Sequence, residues 1–177
     1  MRRASLLFAL LLVAAPAFAQ ESSPGGGAGT VKTMQMNFNY VKGFLLKSAE
    51  EMPEADYAFK PTPTVRSFGQ IVAHVADANN GLCAAVLGEA NPSPGVEKSK
   101  TAKADPVAAL KASYDFCNRA FSIPDADTGA KVKLFGQETT RLGALLAELG
   151  HNWEHYGNIV TYLRLKGQVP PSSQSRP

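Results

Sequence analysis

The chain has 177 residues, of which 45% are hydrophobic and 19% charged, with a formal net charge of +3. That length suffices for one domain with a sizeable core. Lys and Glu are scattered and no basic cluster stands out, which argues against nucleic acid or an anionic membrane as a partner.

Arg2 and Arg3, the apolar run SLLFALLLVAAP and the triplet Ala17-Phe18-Ala19 predict a secretory signal peptide over residues 1–19, cleaved after Ala19. The apolar run is short for a transmembrane helix, and no second one follows. The mature chain is therefore expected in the periplasm or outside the cell, with no membrane attachment. Losing Arg2 and Arg3 lowers the net charge from +3 to +1, so the sequence pI of about 8.9 overstates the basicity of the mature protein.

Residues 20–33, with the Gly/Ser-rich ESSPGGGAG, predict a flexible leader, and residues 34–173 a single domain. Met34, Phe38, Val41, Leu45 and Ala49 recur at steps of four and three, one apolar face of a first helix. Three prolines in MPEADYAFKPTPTV (52–65) break that pattern. Ser67 and Gln70 fit a capping box opening a second helix, with Phe68, Ile71, Val75, Ala78 and Leu82 on its apolar stripe and an end near Gly88. Residues 89–104 read as a polar connection. Asp105-Pro106 predicts the start of a third helix, Asp105 as N-cap, with Val107, Leu110, Tyr114, Cys117 and Phe121 as its seam.

Residues 123–138 read as irregular, with KVKLF at most a short strand. Thr139 or Thr140 opens the last and longest helix, which runs to about Lys166 before Gly167 and Pro170-Pro171. Its main apolar stripe is Leu142, Leu145, Leu149, Trp153, Tyr156, Val160 and Leu163. A second stripe carries Ala144, Glu148, His151, His155, Asn158 and Tyr162, and is either solvated or lines a polar cleft. Four amphipathic helices without a convincing sheet make the expected fold class all-α, a four-helix bundle.

His151 and His155 lie four apart, on one helix face and about one turn from each other, so both imidazoles can reach one metal ion. His74 sits at the edge of the second helix's apolar stripe. The chain has only these three histidines, all predicted inside helices. Two on one helix and one on a facing helix can supply three ligands of an open site, leaving a position for water or substrate. Asp77, one turn from His74, and Glu148, one turn from His151, are candidates to orient the rings, or are solvated surface. A zincin motif fails because Asn152 follows His151, a di-iron bundle lacks a second E-x-x-H, and no G-x-S-x-G supports a serine hydrolase.

WEHYGNIVTYLRLKGQVPPSS, the HxxxH pair on the last helix, and SFGQIVAHVADAN after a Pro-rich turn together resemble the DinB-like superfamily of bacterial four-helix-bundle proteins over roughly residues 34–173. The resemblance implies an up-down-down-up bundle with a long crossover. It implies His74, His151 and His155 as ligands of a divalent metal ion, zinc or nickel. Some relatives are metal-dependent transferases that conjugate a small thiol to an electrophile, and others are hydrolase-like. The implied partner is thus a small-molecule substrate or thiol, with a homodimer left open. Where many relatives carry Trp before the second-helix cap, this chain has Arg66.

Three readings follow: a metal-dependent transferase or hydrolase, a non-enzymatic module that binds a metal or small ligand, and a structural bundle with a polar cleft. Cys83 and Cys117 belong to a chain expected in an oxidising compartment, which permits a disulfide. If the second and third helices run parallel, the two cysteines differ in height by roughly 6 Å; in an antiparallel hairpin the offset is roughly 10 Å, beyond bridging reach. Two buried free thiols are the alternative.

Overall fold

Helix-period patterning with clear start and stop residues produces four long helices. The computed structural model describes residues 29–99 and 102–175; the expected signal peptide and residues 20–28 of the leader lie outside them. The chain forms α1 (Thr30–Glu51), α2 (Phe68–Leu87), the one-turn α3 (Val96–Ser99), α4 (Ala104–Ala120), strands β1 (Lys131–Leu134) and β2 (Gln137–Thr140), and α5 (Arg141–Leu165). The described fold is mostly helical with one small two-stranded sheet.

The apolar face read in α1 is the buried one: Phe38, Val41, Leu45 and Ala49 are fully enclosed. The helix starts at Thr30, however, inside the stretch expected as leader. A tertiary contact draws it in. Val31 N–H, one of the donors a helix start leaves unpaired, donates to Asp125 Oδ1 at 2.7 Å. The approach is so close that a Cβ on Gly29 would stand 2.1 Å from Asp125 Oδ2, so any larger residue there would require the Asp125 carboxylate to move.

The capping box of α2 is complete. Gln70 N donates to Ser67 Oγ (3.2 Å), and Ser67 N donates to Gln70 Oε1 (2.9 Å). The helix ends at Gly88, whose φ of 70° is the left-handed cap conformation. At α4 the expected Asp105 cap is not used. The helix begins at Ala104, with Lys103 in the cap position and no side-chain cap. Lys103 Nζ instead donates to the carbonyls of Glu50 (2.7 Å) and Met52 (2.8 Å), satisfying acceptors that the end of α1 leaves free.

The segment expected as irregular holds an antiparallel hairpin in the register Lys131↔Thr140 to Leu134↔Gln137. Phe135 (φ 50°) and Gly136 (φ 80°) form its two-residue turn, both in positive φ as the twist of a tight hairpin requires. Phenylalanine is an unusual choice there, which hides the turn from a reading of turn residues. β2 passes directly into α5, where Thr140 caps the helix by accepting from Gly143 N at 3.1 Å.

α2 packs on α4 and α5, while α1 packs on α5 and α4 with little direct contact to α2. Asn79 pairs with Ser113, and Cys83 forms a disulfide with Cys117 across a Cα–Cα distance of 5.3 Å. Both pairs advance by four residues in the same sense, so α2 and α4 run parallel. Because α5 is enclosed by both α1 and α2, its buried arc is wider than one stripe. Ala144, Glu148, His155 and Tyr162 of the second stripe are buried. Leu142, Leu149 and Val160 of the expected main stripe are only half-buried, and Trp153 is 39% exposed.

Candidate metal centre

His74 on α2 meets His151 and His155 on α5. The Nε2 atoms of His74 and His151 are 3.2 Å apart, those of His151 and His155 3.0 Å, and one ring nitrogen of each residue falls within 4.8 Å of the other two. The four-residue step along α5 brings its pair of rings to 4.3 Å between centroids, and the His74 ring closes the triangle at 4.8 and 5.1 Å.

Burial lowers the His151 pKa to about 3, and the nearby His155, His74 and Arg66 charges push in the same direction. His155 is lowered too, first by burial and then by His74. His151 and His155 are therefore neutral at physiological pH, each with one ring nitrogen free of a proton, as a metal ligand must be. Zinc held at 2.0–2.1 Å by imidazoles in a tetrahedral set spaces their nitrogens by about 3.3 Å. The observed 3.0 and 3.2 Å fit such an ion after a small outward adjustment of the rings.

The far ring edges differ. His74 Nδ1 meets Glu97 Oε2 at 3.1 Å, and His155 Nδ1 meets the Asn158 amide at 3.4 Å. His151 Nδ1 is buried without a partner among the described residues. Glu97 is the residue that sequence reasoning missed, since it sits in a stretch of mixed charge that reads as solvated connection. Tertiary structure gives it a fixed place. Asp77 does not bond His74. Its two oxygens accept from Val96 N (2.7 Å) and Glu97 N (2.8 Å) and hold the first turn of α3 against α2. Glu97 then bridges His74 and Arg66, accepting from Arg66 Nε at 2.8 Å. Asp77 orients His74 at one remove.

Glu148 does not bond His151 either. It is fully enclosed, with Oε1 accepting from Asn152 Nδ2 at 2.5 Å and Oε2 unpartnered among the described residues. Burial, against that hydrogen bond, pushes its pKa up to about 8, so it is a neutral acid at pH 7. Around it lies a polar cluster from three helices. Tyr114 OH donates to Asn152 Oδ1 (2.7 Å), and Asn79 pairs with Ser113 Oγ (3.1 Å). With its amide nitrogen turned toward α5, Asn79 also donates to Glu148 Oε1 at 3.3 Å and to Val75 O at 3.2 Å. The Cys83 and Cys117 sulfurs lie within 4.8 Å of a Glu148 oxygen. This cluster has no opening.

The histidines do. A cleft of about 630 Å³ runs from His155 past Tyr162, Ile71, Arg66 and Glu97 to the Pro-rich turn at residues 60–65.

The profile of the DinB superfamily matches residues 43–159, a span that includes all three histidines. The chain belongs to the DinB superfamily. A DinB-like protein from Bacillus cereus superposes with a TM-score of 0.68 at 13% identity, over 78% of this chain and 93% of that one. A DinB-like protein from Bacillus subtilis gives 0.64 at 19% identity, over 82% and 99%. A conserved protein from Enterococcus faecalis gives 0.64 at 14%, over 78% and 98%. At these identities the likeness shows the fold. A comparison with curated protein sequences gives no match.

Proposed function

We propose that this DinB-superfamily chain is an exported metalloprotein with a mononuclear centre on His74, His151 and His155. The ion is divalent, zinc or nickel, and the activity is group transfer to a thiol or hydrolysis. The observation that carries the reading is the convergence of three imidazole nitrogens from two helices, His151 Nε2 lying 3.2 Å from His74 Nε2 and 3.0 Å from His155 Nε2, beside an open cleft. An ion held there supplies Lewis-acid chemistry at its open position. The chain's own contribution is to keep His151 and His155 neutral by burial, to fix the His74 ring through Glu97, and to leave one side of the triangle accessible.

The proposed architecture is a four-helix bundle of up-down-down-up topology, with residues 88–103 as the long crossover. Supporting it, Gln35, Lys42 and Glu50 of α1 contact Ser122 just past the end of α4 and then Asn118 and Lys111 within it, in descending order, an antiparallel pair. Arg66 and Asn79, at the two ends of the same stretch, contact Tyr162 and Asn152, so α2 and α5 are antiparallel too. Export over a signal peptide at residues 1–19 is supported by the buried disulfide, a bond rare in reducing compartments.

Metal analysis of the purified full chain tests the centre: one zinc or nickel per chain is expected, and a metal-free protein that takes up neither would refute it. Turnover of a panel of small thiols and electrophiles then separates an enzyme from a binding module. Intact-mass measurement of exported material should give Gln20 as the first residue.

A further inference from the structure

Arg66 is exposed and makes two contacts that fix its place. Its carbonyl accepts from Tyr162 OH on α5 at 2.7 Å, and its Nε donates to Glu97 at 2.8 Å. The first fixes the backbone and the second holds the guanidinium at the wall of the cleft that also contains His155. The terminal Nη edge carries no hydrogen bond among the described residues. That edge is a two-donor fork of the shape that accepts a carboxylate. Lys60 lines the same cleft and its Nζ likewise has no acceptor among the described residues.

Charge points the same way. Glu97 is already shared between Arg66 and His74, so Lys60, Arg66 and Glu97 together leave the cleft wall at +1 before any ion binds. Phosphate groups commonly dock on free amides at a helix start. At α2 those amides are taken: Phe68 N by Phe59 O, Gly69 N by Tyr57 O and Gln70 N by Ser67 Oγ. With those amides taken, the wall offers an anion one fork, that of Arg66, which satisfies both oxygens of a carboxylate but leaves a phosphate with unmatched oxygens.

We propose that the cleft takes a small carboxylate-bearing molecule, with Arg66 gripping the carboxylate and the molecule's other end facing the three histidine Nε2 atoms. Arg66 is then the specificity-determining residue of the site. The proposal rests on the three-histidine metal reading.

Calorimetric titration of the full, zinc-loaded chain with succinate, its neutral diamide succinamide, and inorganic phosphate tests it. Succinate should bind at least about tenfold more tightly than succinamide and more tightly than phosphate. Arg66→Gln should weaken succinate by about 10- to 100-fold with zinc stoichiometry unchanged. Arg66→Lys should restore only part, because an ammonium keeps the charge and loses the fork. Equal affinity for succinate and succinamide, stronger binding of phosphate, or an Arg66→Gln chain that binds succinate as before would each overturn the proposal while leaving the metal centre standing. Failure of the wild-type chain to hold zinc would instead overturn the metal reading, and this inference with it. Since Arg66 also braces Glu97, Lys60→Gln provides a second variant should Arg66→Gln not fold: a few-fold loss of succinate affinity supports the proposal and no change counts against it.

Discussion

Two polar clusters lie side by side along α2 and α5, the second joined by α4, and the two have opposite characters. The histidine cluster is half-open, its nitrogens converge on one point, and it borders a cleft. The cluster of Asn79, Ser113, Tyr114, Glu148 and Asn152 is fully enclosed beside a disulfide and pairs mostly with itself. Burial costs a polar group its water, and an internal network repays that cost only where partners are complete. The closed cluster is therefore read as structural. The open one gathers a ring nitrogen from each of three histidines within 4.8 Å of one another, an arrangement that could hold a cation.

If that division is right, the largest effect belongs to the ligands. His151→Ala should remove metal binding by far more than the about 10- to 100-fold that loss of an orienting partner costs, while the cooperative melt survives. Metal content equal to wild type would erase the distinction between the clusters.

Next comes Glu148, whose pKa rises from 4.5 unfolded to about 8 folded. Below pH 4.5 both states hold the proton and there is no penalty. Between 4.5 and 8 only the folded state keeps it, so stability falls with rising pH and levels off above 8. The loss is at most about 5 kcal/mol. Glu148→Gln should flatten that slope in denaturant melts run across the range. A slope unchanged in the variant would assign it to another group.

Breaking the disulfide by Cys83→Ala with Cys117→Ala should cost about 3–4 kcal/mol, from a sequence separation of 34 residues. It should leave metal stoichiometry untouched, because only the closed cluster borders it. Chemical denaturation and metal analysis of the same sample check both halves.

The smallest effect sharpens the boundary between the two regions. Glu97→Gln keeps a hydrogen-bond acceptor at His74 but loses the charge, and should weaken metal affinity by about 10- to 100-fold with little change in melting temperature. Competition with a chelator of known affinity measures it.

Much of this was legible in the chain because it is local. Helix faces follow from a 3.6-residue period, and the Ser67 box, the Thr140 cap and the turn at Gly88 depend on atoms a few residues apart. The spacing of His151 and His155 fixes their shared face in the same way, and the parallel run of α2 and α4 satisfies the stated geometric condition for bridging Cys83 and Cys117. What periodicity lacks is the identity of the opposing surface. It marks a polar stripe on α5 without saying whether water, histidine or Asn79 lies across from it, so Glu148 was open to a solvated reading and is buried. Glu97 reaches His74 across 23 residues of chain, through a helical turn that exists only because Asp77 holds its first amides. The start of α1 and the Phe135-Gly136 hairpin likewise depend on distant partners or an atypical turn residue. Local periodicity specifies which residues share a face; only packing decides what each face meets, because burial and pairing are properties of two surfaces rather than one.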